Sequence, residues 1–134
     1  MRHVALALSL AVLSATALPL AAQDAARGEA IYIRHCATCH GIDAEGRGPM
    51  AAVLLLQPTD LTRLTVNSGG EFPVIRVVTR IDGRDPLASH GSPMPLFGQL
   101  FEPQDTAIKA PDGMPILTSQ PIADLVAWLE SIQR

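Results

Sequence analysis

The only two cysteines of this 134-residue chain, Cys36 and Cys39, stand three apart, and His40 follows directly. Cys-x-x-Cys-His is the attachment sequence of c-type haem. Two thiols at that spacing on a helix end can reach the two vinyl groups along one side of a porphyrin. The next residue then lies under the iron and offers it an imidazole nitrogen. Thioethers make the attachment irreversible and consume both cysteines. Other uses of the same residues need partners that the chain does not offer. A thiol–disulfide oxidoreductase sets its C-x-x-C pair in a βαβ context, and no such pattern surrounds Cys36. Zinc could draw on Cys36, Cys39 and two of His35, His40 and His90, yet no second ligand pair has the usual spacing. A plain structural disulfide is the third competitor.

Composition agrees with a cofactor-centred core. Hydrophobic residues make up 48% of the chain, but aromatic residues only 4%, so side chains alone would fill a thin core. The net charge is −3 and Lys109 is the single lysine, which excludes the basic footprint of a nucleic-acid binder. Part of the apolar content belongs to residues 1–22. A basic start, Met1-Arg2-His3, leads into the apolar run Val4–Leu13 and then into small residues up to Ala22. That is the layout of a secretory signal peptide cut after Ala22, with Ala15-Thr16-Ala17 as a second small-x-small site. Ser9, Ser14, Thr16 and Pro19 interrupt it as a spanning helix. The expected organisation is therefore a cleaved leader, 1–22, and one domain, 23–134. The mature domain is expected to work outside the cytoplasm, in the periplasm, with no stable membrane insertion after cleavage.

Local pattern supplies the elements. Asp24 caps a first helix that runs into Cys36, with Gly28 and Tyr32 on one face. Residues 41–67 are rich in glycine and proline and read as loop, with one helical turn at Met50–Leu55. Val74, Ile75, Val77 and Val78 fit a helix ended by Gly83, although their β-branching also allows a strand. Ala107–Lys109 and Met114–Leu117 flank Pro111-Asp112-Gly113, a turn signal that predicts a small β-hairpin. Ile122, Leu125, Val126, Leu129 and Ile132 recur at helical spacing, with Pro121 in the first turn and Trp128 beside the stripe. Low-spin haem needs a sixth ligand, and Met94, Met114, Met50 and His90 are the candidates. Met94 lies in a loop stiffened by Pro93 and Pro95. Met114 reads otherwise as a core-filling side chain and Met50 as a packing residue of a first turn. His90 and His35 read as surface residues.

These features resemble a class I c-type cytochrome over most of residues 23–134. Gly28 and Tyr32 precede Cys36 as the glycine and aromatic of that family's first helix do. Gly46-Arg47-Gly48-Pro49 looks like its glycine-rich loop, Pro93-Met94-Pro95 like its methionine loop, and Leu125–Ile132 with Trp128 like its closing helix. The resemblance implies an all-α cytochrome c fold wrapped around one haem c, here with the hairpin inserted before the C-terminal helix. It implies His40 and Met94 as iron ligands, with the Pro49 carbonyl accepting from His40, and a closing helix whose aromatic meets the first helix near Gly28. The stretch Phe101–Thr118 departs from the smallest members. Arg84, then Arg80 and Arg63, are candidates for the haem propionates. Leu55, Leu56, Leu61, Ile75, Val78, Leu96 and Leu129 are candidates for the haem wall. The implied function is single-electron transfer between redox partner proteins, without substrate chemistry. A haem enzyme or gas sensor with a displaceable sixth ligand, a thiol–disulfide oxidoreductase, and an electron-accepting subunit of a dehydrogenase are the alternatives. The spacing predicts one haem held by two thioethers. It should stain after denaturing electrophoresis and survive acid-acetone extraction; loss on extraction refutes the attachment.

Overall fold

The computed structural model describes residues 22–85 and 94–134. The leader expectation for residues 1–21, and the readings of His90 and Pro93, lie outside the described residues. The fold is mostly helical with one two-stranded antiparallel sheet. Helices α1 (Ala25–His35) and α2 (Ala37–His40) come first, then a 3₁₀ turn at Ala51–Val53 and another at Leu61–Arg63. Helices α3 (Leu64–Asn67) and α4 (Val74–Asp82), strands β1 (Thr106–Lys109) and β2 (Pro115–Thr118), and helix α5 (Gln120–Ser131) complete it.

Helix α1 starts where expected. The Asp24 carboxylate accepts the Arg27 N–H at 3.1 Å, and that bond is the main reason its carboxyl is held below the ordinary aspartate value. Gly28 and Tyr32 are the buried residues of α1, one turn apart, so the helix offers a narrow contact stripe. Helix α5 fills it. Ile122, Leu125, Val126 and Leu129 are buried as their spacing requires, and so are Ala123, Asp124 and Trp128. The two helices cross with backbone against backbone. A Cβ on Gly28 would lie 2.0 Å from the Asp124 carbonyl oxygen and 2.9 Å from Trp128 Cβ. One turn on, the Tyr32 and Trp128 rings meet with centroids 4.3 Å apart. A buried carboxylate locks the same crossing. Asp124 accepts the Asp24 backbone N–H at 2.9 Å and Gln120 Nε2 at 2.7 Å, and faces Arg27 Nε at 3.6 Å.

Helix α4 settles the helix-or-strand choice for its segment. Val74, Val77, Val78 and Ile81 are buried at helical spacing, and Gly83 ends the helix at φ 91°. The hairpin forms in the expected place, pairing Thr106 with Thr118 through to Lys109 with Pro115. Pro115 is the first residue of its strand, and Gly113 takes φ 87° in the turn. Two expectations need correction. The 41–67 stretch is not plain loop beyond its first turn, since residues 61–67 wind into a 3₁₀ turn and α3. The Asp60 carboxylate starts them by accepting the Thr62 N–H at 2.9 Å and its hydroxyl at 2.6 Å. Met114 does not fill the core: the hairpin turn carries it outward, 64% exposed.

Gly28→Val should cost about 3 kcal/mol or more, because a backbone carbonyl, not a yielding side chain, occupies the space. Denaturant unfolding measures it; a near-neutral result would mean that the helices do not cross here.

Candidate functional site

The residues expected to attach haem continue directly from α1. Cys36 keeps helical bonding through its N–H to the Tyr32 carbonyl at 2.8 Å, and the His40 N–H reaches the Cys36 carbonyl at 2.9 Å. Cys36, Cys39 and His40 thus occupy a single helical turn. The two thiols are half-buried and are not joined to each other. Burial, with Cys39 alongside, pushes the Cys36 thiol up to about 11.

Helix α2 is four residues long, so its end leaves carbonyls without helical partners. The glycine-rich loop supplies them. The N–H groups of Gly46, Gly48 and Met50 donate to the carbonyls of His40, Cys39 and Thr38 at 2.7, 3.0 and 3.0 Å. Alternate residues of the loop therefore cap consecutive residues of the attachment turn. The approach leaves no room at Gly48, where a Cβ would fall 2.5 Å from the Thr38 carbonyl oxygen. Tyr32 closes the same turn from inside: its buried hydroxyl donates to the Gly41 carbonyl at 2.6 Å.

His40 is oriented by a different residue from the one the resemblance implied. Its Nδ1 donates to the Thr59 carbonyl at 3.0 Å, not to Pro49. The N–H groups of Gly46, Gly48 and Met50 hold that loop against α2, and Pro49 is exposed. The 58–61 segment crosses instead, tied down where the Leu61 N–H meets the Ala44 carbonyl at 2.8 Å. The Gln133 side chain holds that segment from behind. It donates to the Leu61 carbonyl at 2.8 Å and accepts the Thr65 N–H at 2.9 Å. With a carbonyl fixing the proton on Nδ1, the Nε2 lone pair is left for a metal. Desolvation lowers the His40 pKa below its ordinary 6.5, outweighing the opposite pull of the Thr59 bond, and so favours the neutral ring that coordination requires.

Met94 comes from a separate segment beyond α4 and is half-buried against the core. The residues after it are fixed to the end of α4. The Phe97 N–H donates to the Ile81 carbonyl at 2.8 Å, and Leu96 packs over Gly83. The arginine expectation is revised. Arg84 is bound to Asp82 and to the Leu117 carbonyl, the latter at 2.7 Å, so it fastens the hairpin to the end of α4. Arg80 pairs with Asp85 at 3.0 Å, while Arg63 is exposed. His35 is no surface residue either; it is half-buried, and its ring meets those of Phe101 and Phe97 with centroids 5.4 and 6.1 Å away.

The residues fit a haem. Two unpaired thiols and a neutral, tethered imidazole share one turn, and the chain leaves apolar side chains uncovered that a large flat cofactor would cover. Val53, Leu55, Leu56, Ile75 and Leu96 are between 49% and 102% exposed. Of the seven wall candidates, Val78 and Leu129 are instead sealed in the protein core, and Leu61 packs against it.

The family model for cytochrome c matches residues 25–133. The chain belongs to the cytochrome c family. The match includes Phe101–Thr118, so the hairpin of this cytochrome c lies within the family span. No curated protein and no solved structure matches the chain. Haem-based electron transfer is what membership of this family suggests, with covalently held haem c. Among the described residues no helix is long and apolar enough to cross a membrane.

Tyr32→Phe leaves the Gly41 carbonyl without its donor and should cost about 1–3 kcal/mol in unfolding experiments. Burial raises the Tyr32 pKa well above its ordinary 10.0, so this stabilisation is complete below that value and fades as pH rises beyond it. Equal stability of the variant and the parent at neutral pH would contradict this role.

Proposed function

We propose that this cytochrome c is an exported, monohaem electron carrier whose iron is held by His40 and Met94 and whose haem is bound through Cys36 and Cys39. Residues 1–22 act as the cleaved leader, residues 23–134 as the working domain, and the periplasm is where it meets redox partner proteins. When bound, haem supplies an iron that alternates between the ferrous and ferric states. The single observation that carries the reading is the Cys36–His40 turn, with His40 neutral and its Nδ1 proton committed to Thr59.

The chain's own residues account for the rest. Carbonyl capping by residues 46–50 keeps the attachment turn rigid, so the proximal imidazole need not reorient when charge arrives or leaves. The bond to Thr59 raises the basicity of the imidazole. A Met94 thioether opposite it favours the reduced state relative to a second imidazole and raises the potential. Met94 is preferred over Met114 because Met94 packs against the core and Met114 stands out on the hairpin turn. With His40 and Met94 both holding the iron, no position would be left for a substrate, and the protein would move electrons without making or breaking a substrate bond.

Two variants test the assignment. Met94→Ala should keep its covalent haem, lose the weak far-red sulfur-to-iron absorption of the ferric protein, and lower the reduction potential. Met114→Ala should leave both unchanged. An optical redox titration with spectra of the ferric forms decides; the opposite pattern would exchange the two roles.

A further inference from the structure

An aromatic cluster joins the haem-attachment helix to the segment that carries Met94. His35 is the last residue of α1 and directly precedes Cys36. Its ring lies nearly perpendicular to that of Phe101, with centroids 5.4 Å apart and planes at 86°, and it meets Phe97 at 6.1 Å and 68°. Phe97 and Phe101 stack on each other at 5.8 Å, and the Phe101 N–H donates to the Phe97 carbonyl at 3.1 Å. One tight turn therefore presents two rings to one imidazole. The other side of that turn is fixed to the end of α4. Phe97 is bonded to Ile81, and Gly98 lies so close that a Cβ there would fall 2.3 Å from the Asp82 carbonyl oxygen.

We propose that His35 is a positioning residue for the distal ligand: its edge-to-face contact with Phe101 and Phe97 fixes the Met94 segment relative to the helix that carries the haem. The inference rests on the reading of Met94 as sixth ligand. The described contacts of the turn at residues 97–101 include the end of α4 and His35. The His35 contact refers the methionine segment to the helix that runs into Cys36. Met94 is three residues before Phe97, a span short enough that a shift of the turn is passed to the sulfur. An edge-to-face pair involving His35 is the arrangement in which a ring edge meets the negative face of a neighbour, and it orients as well as packs.

The test is imidazole binding to the ferric holoprotein, which competes with the native sixth ligand. His35→Ala should bind imidazole roughly threefold to tenfold more tightly than the parent, the equivalent of losing one aromatic contact. His35→Phe, which restores a ring edge, should return the affinity to near the parent value, which a merely bulk-filling role would not require of an aromatic. Met94→Ala sets the fully open limit. If His35→Ala fails to mature, His35→Leu, which keeps volume without a ring edge, is titrated instead and should bind as tightly as expected of His35→Ala. An alanine or leucine variant with the parent's affinity overturns the inference while leaving Met94 as ligand. A parent that binds imidazole as tightly as Met94→Ala overturns the ligand reading itself.

Discussion

The contact of Gly28 with the Asp124 carbonyl fixes two paths that meet at His40. Along the first, α1 carries its orientation straight into Cys36 and the attachment turn, because Cys36 still bonds to the Tyr32 carbonyl. Along the second, α5 runs on to Gln133 and Arg134. Gln133 grips the Leu61 carbonyl and the Thr65 N–H, and the Arg134 N–H reaches the Thr62 carbonyl at 2.9 Å. That grip places the neighbouring Thr59 carbonyl against His40 Nδ1. A helix pair held at side-chain distance would separate the two paths, and the histidine and its acceptor would no longer be set by the same contact. Glycine at position 28 is thus a requirement of the site as well as of the core.

Burial shows the same division of labour. Protein side chains close the core between α1, α4 and α5, where Val78, Ile122, Leu125 and Val126 are almost wholly removed from water. Residues 50–56 behave differently, with Met50, Val53, Leu55 and Leu56 left largely uncovered. Each uncovered leucine or valine forgoes about 1.5–3 kcal/mol that full burial would contribute. For a chain with so few aromatic residues this is a large reserve, and covering it with a flat apolar cofactor recovers it. Haem bound against these residues, as proposed, would therefore stabilise the fold as well.

The parts legible in the sequence are those whose signal lies in side chains. The gathering of Cys36, Cys39 and His40 in one turn is legible because a C-x-x-C-H spacing at a helix end brings those side chains together. Helix α5 is legible because five apolar residues repeat at its period, and the hairpin because Pro111-Asp112-Gly113 has few other uses. Thr59 was not legible, because its contribution is a carbonyl oxygen that every residue possesses, and only the tertiary path through Gln133 selects it. The helical turns at 61–67 were missed for a related reason: they are too short to show a period, and their start depends on one carboxylate, Asp60. Arg84 misled because a guanidinium near a presumed haem edge gives no sign in sequence of an engagement with Asp82 and Leu117.

The segments that carry the two proposed ligands are held by different kinds of contact. On the His40 side, three loop N–H groups, a buried tyrosine hydroxyl and the Thr59 carbonyl all act within one helical turn. To displace His40 would break several hydrogen bonds together, and buried carbonyls would be left without donors. The Met94 segment leads into a turn at residues 97–101 whose described contacts include a backbone bond to Ile81, close packing at Gly83 and Asp82, and the rings around His35. Ring contacts of that kind are individually weak. If the proposed ligation holds, a carrier must keep both residues on the iron through each redox cycle; ring packing around the distal turn would then bear on Met94, and hydrogen bonds on His40.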